Sequence, residues 1–345
     1  VMGGKAQSAY LMKWNRYYNA RALYKILDAS VLPRLTTEPF SANVNGKKMS
    51  FDRGTIVIPV SQRDANSTLT EDDIHNLMND IALENHVNVY ATNSASTPTG
   101  PDLGGAFQGL LKKPKVAILS GSGTSSYGVG EVWHLLNHRM NIPASLVDAN
   151  NLSQRKLSHY NTLILADGNY TMLDSTDIQS IKNWNKDGGT LITTGSATRW
   201  AVNKKITTEK IKKNKQINLD IAYSKIRSTT GAQRIGGAIF NISLDNTHPI
   251  GYGYKKEIPI FRRGDTFFEL SKSPSANVAR YTNNPLLSGY ISEERLNDIK
   301  GTASIIAKRQ GSGHIIMFGD NPSFRAFWYG TNGLLLNAVF FGHAF

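Results

Sequence analysis

The 345-residue sequence contains no cysteine. That removes disulfide staples, thiolate metal sites and every cysteine nucleophile at once. Long hydrophobic runs are also missing. Stretches such as Val116–Leu119 and Leu334–Leu336 fall far short of the ~20 apolar residues a membrane helix needs, so no membrane span is expected. Charged residues make up only 19% of the chain and hydrophobic residues 40%, which excludes wholesale disorder and permits a sizeable core. The chain opens Val1-Met2-Gly3-Gly4, without a basic stretch followed by an apolar one. No signal peptide is therefore expected in it, and the start without Met suggests a segment of a longer protein.

Positive charge is abundant: 39 Lys and Arg against 26 Asp and Glu leave a net +13. Nine of these basic residues lie between Arg199 and Arg227, against only Glu209 and Asp220. Aromatic residues that could stack on bases only flank the segment, at Trp200 and Tyr223. It reads as a solvated, mobile excursion, and no nucleic-acid partner is expected.

Periodicity divides the chain into residues 1–113 and 114–345. In the first part, apolar and aromatic residues from Tyr10 to Ala29 recur at three- and four-residue spacing, which predicts a long helix. Leu32–Leu35, Gly54–Pro59 and Val87–Tyr90 read as strands, with a tight turn at Asn45-Gly46. Thr70-Glu-Asp-Asp73 opens a helix through a capping box. In the second part, the continuous apolar runs Val116–Leu119, Thr162–Ala166 and Thr190–Thr193 alternate with helical stretches. A further strand is read at Ser145–Val147. This pattern predicts a doubly wound, parallel α/β sheet preceded by a smaller α/β domain. A hairpin at Ser304–Phe318 and a final helix from Thr331 close the chain.

Four motifs bear on chemistry. The loop Gly121-Ser-Gly-Thr-Ser-Ser-Tyr-Gly-Val-Gly130 opens a helix, as an anion cradle does, but Ser126 and Val129 stand where dinucleotide and P-loop fingerprints need Gly and Lys. His134 and His138 are four apart on a helix but lie opposite its apolar stripe, so exposed histidines are expected rather than a zinc site. Thr194-Gly-Ser-Ala197 follows a strand, as a nucleophile elbow does; Ser196 with His248 as base is the candidate serine amidase pair. Gly319–Gly330 is dense in polar and aromatic residues, and an Asp320–Arg325 pair is expected to fix its turn.

The closing segment Phe318-Gly-Asp-Asn-Pro-Ser-Phe-Arg-Ala-Phe-Trp-Tyr-Gly330, continued through Leu334-Leu-Leu-Asn-Ala-Val-Phe-Phe-Gly342, resembles the end of large bacterial zinc carboxypeptidases of the M14 type. Gly54–Pro59, Asp102-Leu-Gly104, Pro114–Leu119 and Gly189–Gly195 also resemble the region behind their catalytic domain. The resemblance implies a flavodoxin-like, class I glutamine amidotransferase-like domain, an upstream catalytic peptidase domain holding zinc in the same chain, a peptide substrate for that parent, and a periplasmic or secreted location. It implies no cofactor in this region, and it leaves oligomerisation open. By motif position the amidotransferase cysteine falls near Ser196 or Ala197, and Asp167-Gly168-Asn169 falls where an oxyanion loop would lie. The expected role is that of an accessory, non-catalytic region supporting substrate positioning, stability or assembly. A serine hydrolase and a nucleotide- or polyanion-binding module are the alternatives.

Ligand binding, if present, is expected where the carboxyl-edge loops meet. Those loops contribute Gly121, Ser122, Gly123 and Tyr127; Asp167, Gly168, Asn169 and Tyr170; and Gly195, Ser196 and Trp200. The closing segment adds Asp320 and Arg325.

Overall fold

The computed structural model describes residues 1–62, 68–154, 156–215 and 220–345. Among the described residues, the first hundred form six strands and two helices. β1 (Ala9–Met12) is buried along its whole length and pairs antiparallel with both β5 (Ile56–Pro59) and β6 (Val89–Thr92). The helix expected from Tyr10 therefore starts only at α1 (Asn19–Asp28). A strand buried on both faces shows no alternation, so Tyr10 and Leu11 merge with the helical spacing that follows. β2 (Arg34–Thr36) and β7 (Gln108–Leu110) complete a five-stranded sheet in the order β6-β1-β5-β2-β7. Asn45 and Gly46, both at positive φ (49° and 74°), turn the chain between β3 (Phe40–Val44) and β4 (Lys47–Phe51). The turn thus closes a separate hairpin. α2 (Glu71–Asn85) begins at the expected capping box, with the Thr70 side chain accepting from Asp73 N.

The second sheet has nine strands. Its parallel half is β9 (Ala144–Asp148), β8 (Val116–Ser120), β10 (Thr162–Leu165), β11 (Thr190–Thr194) and β16 (Gly313–Phe318), in that spatial order. Counted along the chain this is 2-1-3-4-5, the flavodoxin-like order. Alternate residues face opposite layers. Ile118, Ile164, Ile192 and Ile316 pack with α3 (Ser126–Trp133) and α8 (Asn332–Phe341). Leu119, Leu163, Leu191 and Ile315 pack with α4 (Ser175–Lys186) and α5 (Ser196–Asn203). Helices on both faces explain why these strands read as unbroken apolar runs.

Beyond β16 the sheet turns antiparallel, through β15 (Ala303–Gln310), β14 (Asn277–Gly289), β12 (Ala238–Leu244) and β13 (Glu257–Arg262). β13 is the edge strand, the position that tolerates its Pro259. α6 (Tyr223–Ala232) precedes this half and α7 (Glu293–Ile299) lies within it. The basic segment is docked rather than set apart. Ile206, Thr207 and Glu209 are buried, Ile211 bridges to Phe268, and Lys212 Nζ donates to the Asp298 carbonyl at 2.5 Å. Residues 216–219 of it lie outside the described residues.

The two sheets share one apolar core, and a buried amide bonds across it. Asn337 on α8, fully buried, accepts from Trp14 Nε1 at 2.7 Å and donates to the carbonyls of Ile250 and Tyr252, each at 2.9 Å. Among the described residues, no helix is long and apolar enough to cross a membrane.

Near the amino ends of the strands, burial holds the imidazoles of His248 and His343 at about 4, with Asp245 partly opposing the shift at His248. Their folded values lie below the ordinary ~6.5, so the unfolded chain takes up protons first as pH falls. Stability is therefore full above pH ~6.5 and declines toward pH 4, by up to ~1.4 kcal/mol per pH unit for each histidine. Urea unfolding at pH 7.5, 5.5 and 4.5 measures the slope, and His248→Gln reduces it. A stability independent of pH over that window contradicts the buried neutral state.

Candidate functional site

At the carboxyl end of β11 the chain turns sharply into α5, and the apex of that elbow is Gly195, at φ 51° and ψ −118°. A strand-to-helix elbow places its nucleophile at such a strained position. Here the position bears no side chain. A Cβ built on Gly195 would lie 2.1 Å from Asp167 Oδ1. That carboxylate oxygen accepts from Ser196 N at 2.8 Å and from Ser196 Oγ at 3.1 Å, capping the first turn of α5. Ser196 Oγ in turn accepts from Gly168 N at 2.9 Å, and Asn169 N donates to the Gly123 carbonyl at 2.9 Å. The elbow apex is one residue before Ser196 and two before Ala197, and the amides of Gly168 and Asn169 are already engaged.

The Ser196–His248 pair does not form. His248 packs 4.5 Å from the Phe345 ring, which also contacts His314 at the amino end of β16. Ser196 lies past the carboxyl end of β11, where Thr194 pairs with Phe318. The four residue steps from His314 to Phe318 separate the two ends by roughly 13 Å. His248 Nδ1 accepts from Ile250 N at 3.2 Å, capping its own turn. His134 and His138 stack at 5.6 Å in a π-helical turn (His134–Arg139), the first half-buried and the second exposed. Among the described residues no third potential ligand joins them, so they do not fit a zinc site.

The glycine-rich loop is also closed. Ser125 N donates to the Asp167 carbonyl at 2.7 Å, and Thr124 bridges to Gly168. A Cβ on Gly121 would lie 2.7 Å from Asp148 Oδ1. A phosphate on this loop would meet a carboxylate. Tyr170 is fully buried, donates to the Ala166 carbonyl at 2.7 Å and packs against buried Trp200. Gly121, Ser122, Gly123, Gly168, Asn169, Tyr170 and Trp200 therefore do not line the cleft that the edge does hold.

That cleft, of about 1270 Å³, opens over α3, the elbow and the antiparallel extension. Of the expected residues it gathers Tyr127, Asp167, Gly195, Ser196, Asp320 and Arg325. Its other principal lining residues escaped the sequence: Glu131, Arg199, Arg234, Arg262, Arg263 and Phe324. Period-two alternation in Glu257–Arg262 was a signal for Arg262, which ends β13 with its side chain inward.

Asp320 does not pair with Arg325. It accepts from Arg262 Nη1 at 2.8 Å, Tyr281 OH at 2.6 Å and Ser304 Oγ at 3.0 Å. Arg262 is 1% exposed and also donates to the Thr266 carbonyl, so the buried charge is neutralised and hydrogen-bonded. Arg325 and Ala326 both sit at positive φ, 48° and 54°. The strained turn is held by Glu131, which accepts from Arg325 N at 2.6 Å and Asn321 Nδ2 at 2.5 Å, and by Arg139 donating to the Ala326 carbonyl at 2.6 Å. Burial raises the Glu131 carboxyl above its ordinary range even with these donors. Phe324 stacks on Phe261 at 4.1 Å, whereas Phe327 is 56% exposed rather than packed beneath the turn.

Gly195→Ala is expected to destabilise the protein by about 2–4 kcal/mol, combining left-handed strain with displacement of the Asp167 cap. Denaturant unfolding measures it; a change below ~0.5 kcal/mol means that the elbow is not closed as described.

No family model matches the chain, and no curated protein does. Solved structures similar to it include a ThuA-like protein from Bacteroides uniformis (14% identity, TM-score 0.42, covering 65% of this chain and 90% of that one). Others are a ThuA-like protein from Parabacteroides merdae (12%, 0.43, 66% and 89%) and a glutamine amidotransferase from Thermotoga maritima (10%, 0.38, 60% and 75%). The fold assignment itself rests on strand order and helix placement.

Proposed function

We propose that this chain is a non-catalytic accessory region of an exported bacterial zinc carboxypeptidase of the M14 type. In this reading the catalytic domain lies upstream in the same chain, holds the zinc, and works in the periplasm or outside the cell. The region described here holds substrate for it through the carboxyl-edge cleft. The hydrogen bonds of Glu131 to Asn321 and Arg325 keep the cleft wall rigid.

One observation carries the reading: the elbow apex is Gly195, and the Asp167 carboxylate fills the space a nucleophile would need. The resemblance of Phe318–Gly342 supplies the family. The large cleft beside the closed elbow supports a binding role. The serine amidase alternative lacks a base at Ser196, and the nucleotide alternative lacks an open phosphate loop.

The purified region is expected to hydrolyse no peptide, glutamine or ester substrate above the buffer rate, with or without added zinc. Chromogenic and mass-spectrometric assays check this. Turnover lost in Ser196→Ala, or turnover abolished by a chelator, overturns the accessory reading.

A further inference from the structure

Four arginines stand out in the cleft. Arg199 on α5, Arg234 just past α6, Arg263 just past β13 and Arg325 in the strained turn all line it and are exposed. Among the described residues, none of the four forms an ion pair within 4 Å. Three of the carboxylates in the same wall are committed elsewhere. Asp320 serves Arg262, Glu131 serves the turn, and Asp167 caps α5. The wall is thus left with exposed cationic forks facing an open volume, where each can meet an anion bidentately.

We propose that the cleft binds acidic peptides in extended form, each arginine taking a side-chain or terminal carboxylate. The proposal rests on the accessory reading above and names the class of peptide. Two observations favour a peptide among anions. The volume of about 1270 Å³ exceeds the ~300–1,000 Å³ of ordinary small-molecule pockets and accommodates several residues of extended chain. Phe324 carries Arg263 and Arg325 over its ring, at 5.9 and 5.4 Å from the centroid, so these guanidiniums stand beside an apolar surface suited to a neighbouring side chain. The paired strain at Arg325 and Ala326, held by Glu131 and Arg139, fixes the position of one of the four forks.

Fluorescence anisotropy of a dye-labelled tetraglutamate with a free carboxyl terminus tests this at low salt, with the glutamine counterpart, inorganic phosphate and a single-stranded DNA oligomer as competitors. Tetraglutamate is expected to bind. Arg199→Ala and Arg263→Ala, exposed changes that leave the unfolding midpoint in place, are each expected to weaken it about tenfold. Equal binding of the glutamine peptide, or unchanged affinity in both variants, overturns the proposal. So does tighter binding of phosphate or DNA, which would make the cleft a general polyanion site. Cleavage of the peptide would instead overturn the accessory reading, whatever its affinity.

Discussion

The Asp167 carboxylate lies where a side chain at position 195 would begin, 2.1 Å from the site of a Cβ. From there it caps α5 through Ser196 N and engages the Ser196 hydroxyl, which in turn ties down Gly168 N. One group therefore joins the third and fourth parallel strands at their carboxyl ends. Neighbouring loops follow: Ser125 N binds the Asp167 carbonyl, and the glycine-rich turn is drawn shut against Gly168. The open volume lies to the side, in a cleft over α3, the elbow and the antiparallel extension.

That cleft is built from long-range pairs. Arg262 and Asp320 are 58 residues apart and meet in a buried network with Tyr281 and Ser304. A buried pair of this kind adds less to stability than to uniqueness of position, since breaking it strands a charge. It anchors the start of the closing turn, whose strained residues then project Arg325 beside Phe324. The same turn is tied to α3 through Glu131, so the two sides of the cleft are held together.

Much of the fold was legible because parallel strands covered on both faces must be continuous apolar runs, and Val116, Thr162 and Thr190 begin such runs. Capping at Thr70 was equally plain, since its hydrogen bonds are local. β1 misled for the reason that exposed the others: a fully buried strand has no period of its own. Gly195 was unreadable as the apex, because a glycine shows neither its φ nor what occupies the missing Cβ. The cleft arginines are spread over four separate segments between residues 199 and 325, and only long-range packing of α5, the antiparallel extension and the closing turn brings them together.

The most direct test of the closed elbow is chemical. The folded protein is treated with a fluorophosphonate that labels activated serines, and digested peptides spanning 190–205 are read by mass spectrometry. Ser196, bound to Asp167 and without a base, is predicted to remain unlabelled under conditions that fully modify a serine hydrolase control. Stoichiometric labelling of Ser196, abolished on unfolding, would contradict the non-catalytic account.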